Sequence, residues 1–443
     1  MRKLLLTFYA DDFTGSTDAL EQLTLAGIRA ALFIAPPTPT QLKKFPGLQA
    51  IGVAGKTRSL AVAAMEQELK PALLALKKLK PRHVHYKVCS TFDSSRKIGS
   101  IGQVMDVAAK IFPAQFIPLL VAAPSLGRYT IFGNHFARYG IGSSGTIHRL
   151  DQHPSISKHP VTPMTEADLR LHLAKQTKQR VALFDVLKVS LPAKQADAAL
   201  KQLLAEKPDA VLFDALTAEH IASVGELLEQ SADTNSPLFS VGSSGIEAAL
   251  GAQWGKKQRA QTAALTAKHI LIGSGSCSPV TSGQIAWALR QGFVEVALDA
   301  AALAGEKTSV KEIKRATGVA AAWLNAGRSV IVHTTRSGSD KRIAATLRGN
   351  TAKILGTALG NVLRGALEQS KVRRLCIAGG DTSSYAARAL GIEALEMIAP
   401  LTPGAPLCRA FAPKSLADGC EVVFKGGQVG AENYFQIVLQ GNS

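Results

Sequence analysis

Short apolar runs alternate with segments of helical periodicity along the first part of the chain. Such alternation predicts parallel βαβ units, in which the strands share one sheet and the helices cover its faces. The predicted strands are Leu4 to Tyr9, Ile28 to Ile34, Leu48 to Val53, Val84 to Val88 and Phe116 to Ala123, and the clearest helices are Ser16 to Ala26 and Leu60 to Leu79.

A second series of the same kind begins after a polar and basic stretch. We therefore predict an α/β protein of two domains, each an open and mostly parallel sheet flanked by helices, with a cleft between them. The expected boundaries are residues 1–250, a linker at 251–267, and residues 268–443. The second series has strands at 269–272, 293–298, 330–333 and 375–377, and helices at 278–290, 309–324, 353–369 and 382–390.

Length and composition narrow the class of protein. A chain of 443 residues holds two or three domains of about 150 residues. A content of 46% hydrophobic and 19% charged residues excludes intrinsic disorder and a coiled coil. The five cysteines are widely spaced and form no C-x-x-C pair, so we expect a reducing cytoplasm, no disulfide framework and no protein-bound metal.

The net charge of +18 raises the question of a nucleic-acid partner. The basic residues are not interleaved with aromatic ones, which make up only 6% of the chain, so stacking platforms for single strands are not expected. The longest charge-free stretch, residues 111–127, is too short to cross a bilayer. We expect no nucleic-acid or membrane partner, and a surface field that attracts small anions.

Two adjacent carboxylates, Asp11 and Asp12, follow the first predicted strand, where open α/β sheets bind their ligands. A carboxylate in this position can accept the proton of a sugar hydroxyl. We expect Asp12 to be this catalytic base, with Asp11 as the alternative. Successive residues of a strand point to opposite sides, so the other carboxylate would cap the helix or meet a cation.

Further polar residues follow the neighbouring strands and suit an anionic small molecule. The loop at the end of the fourth strand offers Lys87, Ser90 and Asp93, and a solvated loop with internal serine hydrogen bonds is the alternative interpretation. Arg58 and Arg128 each follow another strand and would add guanidinium forks for a carboxylate.

Glycine-rich turns distinguish the second half of the chain. Glycine lets the backbone approach a phosphate closely, and a following helix N-terminus supplies partial positive charge. Together these turns predict a nucleotide-phosphate site in which a lysine is the phosphate cation. The candidate ATP-binding residues are Ser274, Ser276, Gly379, Gly380, Asp381, Thr382, Lys425, Gly427 and Gly430.

The segments Tyr9 to Gly15, Gly275 to Ser278 and Ala378 to Ser383 resemble the four-carbon acid sugar kinase family, and the resemblance spans the whole chain. It implies an N-terminal domain that binds an acid sugar, here against Asp12, Arg58 and Lys87, and a C-terminal domain that binds ATP. The implied reaction transfers the γ-phosphate of ATP, used with Mg²⁺, to the terminal hydroxyl of 3-oxo-tetronate, threonate or erythronate.

The resemblance leaves several alternatives open. The loop at residues 89–95 departs from the pattern of many family members, so the acceptor is open. The resemblance includes a subgroup of kinases that use the branched acid 3-oxo-isoapionate, which is the alternative acceptor. A non-catalytic sugar-acid binding protein would share the two-domain architecture, although it has no use for nucleotide-type turns. The oligomeric state, a monomer or a homodimer, is open. It is also open whether Mg²⁺ is held by the protein or by the oxygens of ATP.

Overall fold

The predicted alternation of strands and helices is present in both halves of the chain. A computed structural model describes residues 4–139, 144–159, 161–233, 236–255, 264–334 and 351–441. The chain divides into two compact units, Met1–Arg259 and Ala260–Ser443. The strands of each unit run mostly parallel and are flanked by helices, so the predicted α/β fold class is confirmed.

The sheet of the first unit is parallel throughout, with strand order β2-β3-β1-β4-β11-β5-β10-β9. A separate antiparallel sheet, β6-β7-β8, was not expected from the alternation. The strands are β1 Leu6–Ala10, β2 Ala30–Phe33, β3 Ala50–Ala54, β4 His83–Lys87, β5 Ile117–Leu120, β6 Arg128–Ile131, β7 Asn134–Arg138, β8 Ile147–Arg149, β9 Val181–Phe184, β10 Ala210–Phe213 and β11 Leu238–Gly242.

Helices cover the faces of this sheet. Helices α3 and α4 pack on a core that includes Met65, Leu69, Leu73, Val104 and Met105, and each such side chain contributes about 1.5–3 kcal/mol on burial. The helices are α1 Phe13–Leu25, α2 Pro39–Leu42, α3 Val62–Lys78, α4 Ile101–Ile111, α5 Leu169–Ala174, α6 Val186–Val189, α7 Ala193–Ala205, α8 Ala218–Ser231 and α9 Gly245–Trp254.

The second unit has strand order β13-β14-β12-β15-β18-β17-β16. Its parallel strands match the predicted series, whereas β16 and β17 add an antiparallel hairpin that the alternation did not predict. The strands are β12 Leu271–Ser274, β13 Val294–Ala297, β14 Val330–His333, β15 Arg374–Ala378, β16 Ala394–Thr402, β17 Ala405–Phe411 and β18 Glu421–Lys425. The helices are α10 Pro279–Arg290, α11 Glu306–Asn325, α12 Thr351–Glu368, α13 Asp381–Ala389 and α14 Tyr434–Gln440.

In each unit there is a point where the chain stops adding strands on one side of its first strand and continues on the other side. From β1 the chain builds β2 and β3 on one side and then crosses to β4 on the other. From β12 it likewise builds β13 and β14 and then crosses to β15. Loops at such switch points diverge and leave a crevice at the carboxyl ends of the strands. In the described part of the chain, no helix is both long and apolar enough to span a membrane.

Candidate functional site

Arg58 connects two loops at the switch point of the first unit. Its Nη1 donates to Oδ2 of Asp12 at 2.7 Å, and its Nη2 donates to Oδ1 of Asp93 at 2.9 Å. Its side chain is 24% exposed, so the charge is partly withdrawn from water. The structure therefore brings together Arg58, Asp12 and Asp93, which the sequence had assigned to one site.

Asp93 is a fixed negative charge in this group. Burial by itself would raise the pKa of its carboxyl, but the charge of Arg58 and a hydrogen bond from Thr91 lower that pKa below its usual range. The hydroxyl of Thr91 donates to Oδ1 of Asp93 at 2.5 Å.

Asp12 is the N-cap of α1. Its Oδ1 accepts the backbone N–H of Gly15 at 2.7 Å, and its Oδ2 accepts the hydroxyl of Thr14 at 3.0 Å. A Cβ atom on residue 15 would lie 2.6 Å from Oδ1 of Asp12, so this approach requires glycine. Both oxygens of Asp12 are thus engaged by α1 and by Arg58.

Asp11 differs from its neighbour, although it is equally buried. It is 5% exposed, and its Oδ1 receives no hydrogen bond from the described residues. Burial raises the pKa of Asp11 to about 7; the charge of Asp12 also raises it, while Arg58 and Lys87 lower it. A carboxyl with this pKa can take up or release a proton near neutral pH.

Lys87 is buried at the end of β4 and paired within the protein. Its Nζ lies 3.4 Å from Oδ2 of Asp18 in α1 and donates to the carbonyl of Val88 at 2.9 Å. Burial by itself would lower the pKa of Lys87, but Asp18 and Glu247 outweigh burial and raise it. Lys87 is therefore charged, and it supplies positive potential beneath the start of α1.

Ser90 and Arg128 lie in loops that are fixed by backbone contacts. The carbonyl of Ser90 hydrogen-bonds to Nε2 of His135 at 2.8 Å. Nη1 of Arg128 donates to three backbone carbonyls at 2.9–3.2 Å, while its Nε has no acceptor among the described residues. Arg128 is a buried cation that is held by the backbone.

Three glycine-rich turns meet at the carboxyl ends of β12, β15 and β18 in the second unit. A Cβ atom on Gly275 would lie 2.6 Å from Cγ2 of Thr382, and one on Gly427 would lie 2.9 Å from Oγ of Ser276. Glycine permits this close approach because it has no side chain. The predicted turns, which are far apart in sequence, therefore form one cluster.

The cluster has room and unused hydrogen-bonding groups. A Cβ atom on Gly380, which precedes α13, would meet no described residue within 4 Å apart from its chain neighbours. The buried hydroxyls of Ser274 and Thr382 have no hydrogen-bond partner within the described ranges. Since buried hydroxyls are usually bonded, these two are available to a ligand.

Lys425 is fully buried at the end of β18 and supports the third turn from below. Its Nζ donates to the hydroxyl of Thr281 at 3.0 Å, and that hydroxyl donates to the carbonyl of Gly427 at 3.0 Å. Burial lowers the pKa of Lys425 to about 8, with a smaller opposing effect of Cys376. The contacts of Lys425 thus reach the glycine turn through Thr281.

Two further predicted residues lie at the edge of this cluster. Gly430 has a positive φ of 87° and packs against Tyr434, and its carbonyl accepts Nε2 of Gln284 at 3.0 Å. It shapes the turn through its backbone. Asp381 begins α13, and its side chain lies outside the described part of the structure.

Two buried acids in helices of the first unit were not predicted from the sequence. Asp18 pairs with Lys87, and Glu247 of α9 lies 2.6 Å from Nδ1 of His85. Neither acid belongs to a motif, because each is a single carboxylate within an ordinary helical segment. The one available signal was the serine and glycine turn at residues 243–245, which immediately precedes Glu247.

Two protein-family models match the chain, one in each compact unit. Residues 6–250 match a family described as a sugar-binding N-terminal domain. Residues 271–435 match one described as a nucleotide-binding C-terminal domain.

Several relatives align with the chain over nearly its whole length. A 3-oxo-isoapionate kinase of Paraburkholderia graminis is 40% identical over 99% of this chain and 94% of its own. A 3-oxo-tetronate kinase of Cupriavidus necator is 32% identical over 98% of this chain and 96% of its own. A solved structure from Salmonella typhimurium has 26% identity and a TM-score of 0.79, covering 99% of this chain and 100% of that one.

Proposed function

The chain belongs to the family that joins a sugar-binding N-terminal domain to a nucleotide-binding C-terminal domain, and we propose that it is an ATP-dependent kinase of a small acid sugar. We assign residues 1–250 to the acid sugar, 268–443 to ATP and 251–267 to the linker. The observation that carries the proposal is the combination, in one chain, of a buried carboxylate and arginine group with a cluster of glycine turns.

The acid sugar is bound, in this proposal, at the switch point of the first unit. Carboxylates accept hydrogen bonds from sugar hydroxyls, and Oδ1 of Asp11 has no donor among the described residues, while Asp12 and Asp93 hold Arg58 beside it. The substrate carboxylate needs a cation, and Arg128 has an Nε without an acceptor among the described residues. The remaining contributors are Arg58, Lys87 and Ser90, which order the loops and add positive potential.

The phosphates of ATP are bound by the three turns of the second unit. A phosphate chain fits the space in front of Gly380 and the hydroxyls of Ser274 and Thr382, which have no partner among the described residues. Ser276, Gly379 and Gly427 line the same cluster, and Lys425 adds positive charge from below. Mg²⁺ bound with ATP neutralises charge that develops on the phosphate oxygens during transfer.

For the acceptor, we propose 3-oxo-isoapionate first and 3-oxo-tetronate second. The relative that is 40% identical is named for the former, and the relative that is 32% identical is named for the latter. Threonate and erythronate complete the set that the sequence resemblance implies.

The test is ADP release by the purified full-length chain with ATP, Mg²⁺ and each of these four acids, alongside calorimetric titration of each acid. A kinase gives acid-dependent ADP release with at least one of them. Binding of an acid without ADP release would instead identify a non-catalytic sugar-acid binding protein.

A further inference from the structure

The two adjacent carboxylates that follow β1 have different surroundings, and the difference separates their roles. We propose that Asp11 accepts the proton of the acceptor hydroxyl, and that Asp12 is a positioning residue for Arg58 and α1. This assignment rests on the proposed kinase function and chooses between two residues that the sequence left as alternatives, with Asp12 favoured there.

Asp12 is poorly suited to receive a proton because its oxygens already accept hydrogen bonds. Oδ1 accepts the N–H of Gly15, and Oδ2 accepts both Thr14 and Arg58. Protonation would disrupt the helix cap and an ion pair of 2.7 Å. These contacts instead fix the guanidinium of Arg58, whose other nitrogen holds Asp93.

Asp11 has the complementary properties. It is 5% exposed, and no described residue donates to its Oδ1. Its backbone is fixed on both sides, since its N–H donates to the carbonyl of Lys87 at 2.9 Å and its carbonyl accepts the N–H of Arg58 at 3.1 Å. A buried carboxylate whose Oδ1 is held in place without a donor from the described residues can accept one from a substrate hydroxyl.

The charged groups around Asp11 come from several elements. Arg58 and Lys87 favour its ionised form, and Asp12 and Asp93 oppose it. The phenol of Tyr86 in β4 is also close enough to interact with it. Burial together with these groups places the pKa of Asp11 at about 7, which suits a base that works near neutral pH.

Two bonds break and two form in the proposed transfer. The oxygen of the acceptor hydroxyl forms a bond to the γ-phosphorus of ATP while its O–H bond breaks, and the proton moves to a carboxylate oxygen of Asp11. The bond between the γ-phosphorus and the bridging oxygen breaks, and ADP leaves with that electron pair. Asp11 later releases the proton to water.

The stability of the protein gives an independent readout. The folded-state pKa of Asp11 is above the usual value of 3.8, so burying its charge destabilises the fold once the pH exceeds the usual value, and the full penalty is reached above about pH 7. Asp11→Asn should therefore unfold at the same or a higher temperature at pH 8. Asp12→Asn keeps an oxygen that can cap the helix but loses the ion pair with Arg58, so it should unfold at a lower temperature.

The experiment compares these two isosteric variants in the full chain, using the acid that the wild type phosphorylates. We expect Asp11→Asn to lower kcat by about 10²- to 10⁴-fold with an unchanged KM for ATP. We expect Asp12→Asn to keep measurable turnover. Its kcat/KM should still fall as the pH is lowered, which is the acid limb of the pH profile. That limb should lie at lower pH than in the wild type, because a charge that raises the pKa of Asp11 has been removed.

Turnover of Asp11→Asn within tenfold of the wild type would overturn the assignment, as would loss of the acid limb in Asp12→Asn. A wild type that phosphorylates none of the acids is a separate result, because it refutes the kinase function itself.

Discussion

Nη1 of Arg58 lies 2.7 Å from Oδ2 of Asp12, so an arginine that follows β3 holds the residue that caps the helix after β1. The same guanidinium holds Asp93 with its second terminal nitrogen. The fork-shaped geometry of arginine makes this bridge, and a lysine ammonium cannot reproduce it.

Arg58→Lys keeps the charge but loses the bridge. We expect a fall of about 10²-fold in kcat/KM for the acid sugar, because the loops that orient it lose their common anchor. The free energy of unfolding should fall by about 1–3 kcal/mol, since a partly buried carboxylate loses its partner. Steady-state kinetics and denaturant unfolding measure the two effects.

Arg170→Lys is the matched control. Arg170 also forms an ion pair in the first unit, with Asp168 at 2.6 Å, but its side chain is more exposed, at 34%. A partly exposed pair of residues two positions apart contributes about 0.2–1 kcal/mol, so both activity and stability should change less than in Arg58→Lys. Equal effects of the two substitutions would contradict the special role of Arg58.

Gly380→Val tests the nucleotide cluster. Apart from its chain neighbours, no described residue lies within 4 Å of a Cβ atom at this position, so the fold should tolerate the side chain, whereas phosphate oxygens would collide with it. We expect the KM for ATP to rise by about tenfold or more, with the unfolding temperature nearly unchanged.

Two other glycines serve as comparisons for Gly380→Val. Gly318 in α11 also has open space, so Gly318→Val should change neither the KM for ATP nor the fold. Gly379 has a φ of +138° and lies against the hydroxyl of Thr382, so Gly379→Ala should lower stability as well as ATP binding. A normal KM for ATP in Gly380→Val would refute the assigned phosphate position.

Repeating local patterns made the strands and helices predictable. Single contacts between residues far apart in the sequence could not be predicted. The predicted helix at 278–290 is observed at Pro279–Arg290, and the predicted strand at 330–333 is observed at Val330–His333. The hairpin of β16 and β17 lies outside the alternation of strands and helices, so that pattern gave no sign of it.

The same distinction holds for the candidate site. Its strand-end residues were predictable because parallel strands bring their carboxyl ends together. The pairing of Lys87 with Asp18 was not, because it depends on how α1 packs on β4. Which of Asp11 and Asp12 would cap the helix was likewise undetermined, since both are aspartates and aspartate suits that position.

Lys425→Met should separate stability from nucleotide binding. The pKa of Lys425 is about 8 in the folded protein against a usual value of 10.5, so its burial destabilises the fold while the lysine is charged. Removing it should raise the free energy of unfolding at pH 7 by about 1–3 kcal/mol. The KM for ATP should rise by about tenfold because the positive charge beneath the turn is lost.

The sign of the pH dependence follows from linkage. Between about pH 8 and 10.5 the unfolded chain binds the proton of Lys425 and the folded chain does not, so the wild type gains stability as the pH rises. The stability advantage of Lys425→Met should therefore shrink over this range. An advantage that is constant with pH would show that Lys425 is not the group responsible.

The most direct test of the central claim is ³¹P NMR of the full-length protein incubated with Mg²⁺, ATP and 3-oxo-isoapionate, with 3-oxo-tetronate in a parallel sample. We expect a new phosphomonoester signal in at least one of the samples, with an intensity that corresponds to one phosphomonoester for each ADP formed. No such signal should appear without the acid. Formation of inorganic phosphate alone, or no ADP with either acid, would contradict it.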